Sequence, residues 1–214
     1  MVITIDGPAG AGKSSAARRL AERLEFHFLD TGAMYRAVAF AAMERMIAWE
    51  DIESLARLTQ ELDLDVTEDR VLMDGCDVTH VIRTLGVTSV IHHVADQPRI
   101  RATLVDLQRR VAEGGDYVTE GRDQGTVAFP DAACKVFLTA SREERARRRM
   151  GDMHRRNEML PFEEVLRLQD ERDERDKSRK VGRLEPAIDA HLVNTDGMTL
   201  DEVVSQLEGI ARQK

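Results

Sequence analysis

"VITIDGPAGAGKSSAARRLAERL", residues 2–24, decides the fold. A short β-branched run, "VITI" at 2–5, meets a glycine-rich turn and then a stretch whose alanines and leucines recur near the helical period of 3.6. Strand, glycine turn and helix carry G-x-x-x-x-G-K-S at Gly7, Gly12, Lys13 and Ser14, the phosphate-loop pattern in the context it requires. The glycines let backbone N–H groups converge on phosphate oxygens, and the following helix adds the partial positive charge of its N-terminus. Gly7, Pro8, Ala9, Gly10, Ala11, Gly12, Lys13, Ser14 and Ser15 are therefore the expected nucleotide-binding loop. Lys13 is placed to reach the terminal phosphates, and the Ser14 hydroxyl to ligate Mg²⁺. The loop alone serves GTPases, ATPases and kinases equally, so other residues must choose among them.

The pattern continues along the chain. Apolar strand candidates at 26–29, 117–120, 134–138 and 190–194 alternate with amphipathic stretches at 13–24, 33–45, 51–61, 98–113 and 200–212. That alternation predicts an α/β fold, a doubly wound sheet of about five parallel strands with helices on both faces. At 214 residues the chain is one such domain with small insertions, and two full domains would be cramped. Ser141 with Glu144, and Thr199 with Glu202, have the spacing of capping boxes. Two stretches break the alternation. Residues 62–83, "LDLDVTEDRVLMDGCDVTHVIR", read as small antiparallel hairpins. Residues 142–180 are nearly solid charge with few large apolar side chains, so their helices are expected to bury little and to be mobile.

Composition narrows the function. A formal net charge of −8 argues against general affinity for nucleic acid, where binding is dominated by phosphate neutralisation. The charge is uneven: 142–180 holds 13 Lys and Arg against 11 Asp and Glu, +2, which leaves −10 for the remainder. An acidic protein with one arginine-dense segment suits a small anion better than a polyanion. No apolar run approaches the roughly 18 residues that span a bilayer, and the start lacks a signal peptide's pattern, so no membrane partner and a cytoplasmic location are expected. Cys76 and Cys134 are far apart and suggest neither a disulfide framework nor a zinc site.

Three further segments bear on an anion. In "LDTGAMYRA", 29–37, Thr31 takes a natural N-cap position, with Tyr35 and Arg36 just inside the helix; this is a second anion site or a capped helix with a surface arginine. "EGRDQGTVAFPDA", 120–132, presents Glu120, Arg122 and Asp123 at the carboxyl end of a strand, where such sheets bind ligands, unless it is a plain strand-end turn. There Glu120 could orient a water on Mg²⁺ and Arg122 could bridge to phosphate. "ERDERDKSR", 171–179, holds Arg172, Arg175, Asp176 and Arg179; by itself it is equally a solvated helix laced with ion pairs.

These segments, together with "PRIRATLVDLQRR" at 98–110, stand in the order and approximate spacing of bacterial cytidylate kinases, a branch of the nucleoside monophosphate kinases, and the chain resembles that family over essentially its whole length. The resemblance implies a single phosphate-loop kinase domain over 1–214, with a nucleotide-binding insert at about 31–100 and a helical lid at about 142–180. It implies ATP in the phosphate loop, approached by Arg148 and Arg149 of the lid, and Thr31, Tyr35, Arg36 and Arg122 around the acceptor's phosphate. Arg101 and Asp123 would meet cytosine with Arg179 nearby, and Arg172 and Asp176 would reach the sugar. Lys13, Arg36, Arg122 and Arg172 would then be the catalytic cations. The implied reaction is ATP- and Mg²⁺-dependent phosphorylation of CMP and dCMP by a monomer, without a general base. The alternatives are a monophosphate kinase with shifted base preference, such as UMP, and more remotely a nucleotide-hydrolysing switch, against which the lack of an N-K-x-D motif counts. Three positions depart from the family pattern: His92 where a small hydroxyl residue usually faces the base, Asn194 where aspartate is common, and Gly86 inside an expected helix. His92 could equally be a helix-surface histidine beside His93.

Overall fold

In the computed structural model, residues 1–155 and 158–214 are described. Arg156 and Asn157, within the lid expected from the sequence, lie outside the described residues. The chain divides into two units, Met1–His27 with Asp116–Lys214, and Phe28–Gly115.

The first unit is built on β1 (Val2–Asp6), β6 (Tyr117–Gly121), β7 (Cys134–Thr139) and β8 (His191–Asn194). With β2 (His27–Asp30), inside which the unit boundary falls, the sheet order is β2-β6-β1-β7-β8. β1 is central and parallel to both neighbours, so that Asp6 stands opposite Gly121 and Phe137. This register brings the carboxyl ends of three strands side by side, where ligands bind in open parallel sheets. The helices of the unit are α1 (Lys13–Leu24), α7 (Arg142–His154), α8 (Phe162–Ser178) and α9 (Leu200–Ala211). α1 packs on α9 and on β6, and Ile3, Ile5, Leu20, Leu138 and Leu207 are fully buried.

The second unit holds α2 (Thr31–Glu44), α3 (Ile52–Glu61), strands β3 (Leu64–Val66), β4 (Val71–Met73) and β5 (Cys76–Asp77), and helices α4 (Leu85–Val90), α5 (His92–Ala95) and α6 (Pro98–Ala112). The expected hairpins form an antiparallel sheet in the order β3-β4-β5. Its second turn follows from the dipeptide Asp74-Gly75: Met73 pairs with Cys76, and both turn residues have positive φ, 50° and 78°. That geometry matches the twist of the flanking strands and favours Asp-Gly.

Three local expectations are corrected. Asp30, not Thr31, caps α2, its carboxylate accepting from the Ala33 N–H at 2.9 Å; Thr31 is the first helical residue. Thr199 and Glu202 form a reciprocal capping box, whereas Ser141 and Glu144 form half of one. Asp196 accepts the Ser141 N–H at 2.8 Å, and Glu144 turns to Arg147 and Arg148. Gly86 lies within a helix as expected, in the first turn of the short α4, with open space where a Cβ would be. The charged segment also buries more than its composition suggests. α7 and α8 pack on each other, enclosing Ala146, Met153, Val165 and Leu166 and a buried ion pair, Arg145 Nη1 to Asp173 Oδ2 at 2.6 Å.

No helix among the described residues is long and apolar enough to cross a membrane. Leu207, fully buried on α9, tests the packing of the first unit. Leu207→Ala should lower unfolding free energy by about 2–5 kcal/mol in urea denaturation. A loss below about 1 kcal/mol would mean that the core is not packed there.

Candidate active site

The phosphate loop leaves β1 through a tight approach. A Cβ on Gly7, whose φ is +147°, would lie 2.1 Å from the Leu138 carbonyl oxygen, so only glycine lets the loop pass β7. Gly12, at φ 88°, then caps α1 in the left-handed region. Lys13 is buried and its Nζ donates to the Pro8 carbonyl at 2.8 Å. Ser14 Oγ donates to Glu120 Oε1 at 2.8 Å, joining the start of α1 to β6.

Beside the loop lies a cavity of 430 Å³ lined by Gly10 through Ala16, by Arg148, Gly151, Asp152 and Arg155 of the α7 region, and by Met198, Leu200 and Val203. Six of the nine expected loop residues, Gly10 to Ser15, line it. The Ala9 carbonyl faces Arg145 instead, accepting from Nη1 at 2.9 Å. Arg148 is fixed at the cavity wall, with Nη1 2.9 Å from Thr195 Oγ1, Nη2 2.8 Å from the Thr195 carbonyl and Nε 3.0 Å from Glu144. Arg149, on the same helix, is half-buried and is not among the lining residues.

Positive charge gathers around Lys13. Burial pulls its ammonium down from 10.5 to about 7; Arg122 and Arg172 push the same way, against Glu120 and Asp6. The lysine is therefore short of negative charge, a deficit that a phosphate would fill. Arg122 is held by Asp176, Nε to Oδ2 at 2.7 Å, and by the Gly121 carbonyl at 3.1 Å. Arg179 Nη2 lies 2.5 Å from Asp176 Oδ1. Burial pushes the Asp176 carboxyl up, but Arg122, Arg172 and Arg179 together overcome it and hold it at about 2. The structure thus brings Lys13, Glu120, Arg122, Arg172, Asp176 and Arg179 into one electrostatic cluster within the first unit, with Asp123 buried beside Asp6.

The remaining expected acceptor residues sit in the second unit. Thr31 and Tyr35 are buried on the first turns of α2, and Arg36 Nη1 lies 3.5 Å from the Gly32 carbonyl. Arg101, only 3% exposed on α6, places its guanidinium 5.3 Å from the Tyr35 ring centroid and donates to the Ala95 carbonyl at 3.0 Å. Asp30 both caps α2 and accepts from Arg83 Nη2 at 2.8 Å. His92 is half-buried, its ring 4.0 Å from that of His93, which stacks on Trp49 at 4.9 Å and 12°.

Sequence reasoning missed Asp6, Arg145, Asp173, Asp30 and Arg83. Asp6 had a signal, an acid closing the apolar run that leads into the loop. Its carboxylate accepts from the Gln124 N–H and the Gly125 N–H, both at 2.8 Å, while burial raises it to about 7. Arg145 had none: nothing in "REERARRRM" separates it from its neighbours.

A divalent cation tests the site's donors. Ser14 and Glu120 supply a hydroxyl and a carboxylate, hard oxygen donors suited to Mg²⁺. Among the described residues no cluster of three His, Cys, Asp or Glu side chains could hold a metal. These two donors would fill only part of the octahedral shell that Mg²⁺ requires.

The family model for cytidylate kinase matches residues 3–213. A cytidylate kinase of Rhodopirellula baltica is 54% identical over 213 residues, covering 100% of this chain and 93% of that protein. One of Carboxydothermus hydrogenoformans is 44% identical over 218 residues, covering 100% and 98%. A shikimate kinase structure from Bacteroides thetaiotaomicron shares the fold, with a TM-score of 0.50 at 13% identity over 99% of this chain and 98% of that one. The phosphate loop, the cationic cluster beside it and the full-length match together place this chain in the cytidylate kinase family.

Proposed function

We propose that the protein transfers the γ-phosphoryl group of ATP to CMP and dCMP, releasing ADP and the pyrimidine nucleoside diphosphate. The observation that carries this reading is the convergence of Lys13, Arg122 and Arg172 beside the phosphate loop. Phosphoryl transfer needs positioning and charge neutralisation more than covalent chemistry, and these three cations supply it without a proton carrier. The acceptor's phosphate oxygen is already ionised near neutral pH, so no general base is assigned.

ATP occupies the cavity lined by Gly10 to Ser15 and Arg148, with Arg149 on the same helix as a lid arginine. Ser14 would hold Mg²⁺ directly and Glu120 through water; bound with ATP, the ion neutralises charge on the phosphates. On the acceptor side, Thr31, Tyr35, Arg36 and Arg122 take the phosphate. Asp123 accepts from the exocyclic amine of cytosine, and Arg101 donates to its ring acceptors, with Arg179 alongside. Asp176, held ionised by its three arginines, accepts from the sugar together with Arg172. Water is excluded as a competing acceptor by the lid over 142–180.

The test is ADP release from Mg²⁺ and ATP with CMP, dCMP, UMP, AMP or GMP offered singly, beside a control without acceptor. CMP and dCMP should dominate. A UMP-led profile would move the base preference, and equal release without acceptor would make the protein a hydrolase. Asp123→Ala should lower kcat/KM for CMP by about 10²-fold or more, because the amine then lacks its buried acceptor. An unchanged acceptor profile would remove Asp123 from the base site.

Lys13 gives a signed pH effect. With its ammonium held near 7 in the ligand-free protein, the side chain is largely neutral at pH 8. Phosphate beside it restores the charged form, so ATP binding at pH 8 takes up protons, and the uptake shrinks at pH 6, where Lys13 already carries its proton. Calorimetry in buffers of different ionisation enthalpy should show uptake in the parent protein and none in Lys13→Met. Proton release, or equal behaviour of the two proteins, would contradict the assignment.

A further inference from the structure

Asp6 belongs to none of the roles above. It ends β1, fixed in the backbone by Gly121 on one side and Phe137 on the other, and the next residue is Gly7, pressed against the Leu138 carbonyl. Both carboxylate oxygens are engaged by a different segment, Oδ1 by the Gln124 N–H and Oδ2 by the Gly125 N–H, each at 2.8 Å. These are the leading amides of the π-helical turn Gln124–Ala128, which directly follows Arg122 and Asp123. A helical turn's first N–H groups have no partner inside the turn, and one carboxylate here satisfies two of them.

The turn is seated tightly by a second contact. A Cβ on Gly125 would stand 2.9 Å from Thr4 Oγ1 and 3.3 Å from the Lys135 methylenes, so the turn rests on β1 and β7 with no spare room. Asp6 is only 4% exposed. Burial and the charge of Asp123 oppose its ionised form, while the two N–H groups and Lys13 favour it.

We propose that Asp6 is a positioning residue for phosphoryl transfer: its carboxylate ties the turn carrying Arg122 and Asp123 to the strand from which the phosphate loop springs. The donor loop and those two acceptor-side residues are then set by one side chain. The proposal rests on the kinase reading above and adds a residue that touches neither nucleotide.

Two variants separate this role from a plain charge effect on Lys13. Asp6→Asn keeps the size but offers one acceptor, and its amide N–H₂ faces a backbone N–H, donor against donor. Gly125→Ala keeps the carboxylate and its charge but lifts the turn off Thr4. If Asp6 positions the turn, both variants lower kcat/KM for CMP, by about 10²-fold in Asp6→Asn and less in Gly125→Ala. The dissociation constant for ATP, measured directly, stays within about threefold of the parent. An effect on ATP affinity equal to that on CMP, or Gly125→Ala within about twofold of the parent for CMP, would overturn the proposal. If Asp6→Asn does not fold by near-ultraviolet circular dichroism, Gly125→Ala decides alone. The parent protein is assayed alongside with CMP and with the other monophosphates. Failure of the parent to use CMP overturns the functional reading, and the two variants are then judged on whichever acceptor the parent does use.

Discussion

An ammonium buried among guanidiniums is the constraint on which the site depends. Lys13 is shut away from water, with Arg122 and Arg172 near enough to oppose its charge. Opposite charge from Glu120 and Asp6 offsets this only in part. A site left in that state is a receptor for anions, since a polyphosphate supplies the missing negative charge to all three cations at once. In the proposed reaction the same arrangement that disfavours the ligand-free lysine would serve catalysis, because transferred phosphoryl oxygens carry their charge through the reaction.

Holding such a cluster together requires acids at fixed places, and the fold supplies them from separate elements. Asp176 on α8 binds Arg122 and Arg179, and stays ionised because its guanidinium neighbours outweigh its burial. Asp173, three residues earlier on the same helix, binds Arg145, whose Nη1 also reaches the phosphate loop at Ala9. α8 is thus linked to the loop by one buried ion pair and to the end of β6 by another. Breaking a buried pair by removing one partner leaves an uncompensated charge, so these links are structural necessities as much as functional ones.

Much of this was legible in the sequence. The strand, loop and helix at 2–24 carry both the period and the chemistry, and α1 occupies 13–24 as its alanines and leucines predict. The parallel strands were legible because their β-branched runs are separated by long amphipathic stretches. The short helix α5 was not, since four residues are too few for a period to show, and α4 was expected only from the family pattern around Gly86. Capping chemistry misled where a distant residue competed: Asp196 takes the Ser141 N–H that Glu144 would otherwise reach. Most of the candidate site was reached through ordered motifs, but the residues that hold it in place were not. Arg145 and Asp173 lie in runs where nearly every residue is charged, and only packing selects which pair is buried.

The account is tested most directly by titrating the Lys13 side chain itself, through the ¹³Cε resonance of selectively labelled lysine in the ligand-free protein and with ATP bound. It predicts a midpoint near 7 without ligand and a rise on adding ATP. A ligand-free midpoint near the ordinary 10.5, unmoved by ATP, would contradict it, because the cations would then not be competing and phosphate would have nothing to relieve.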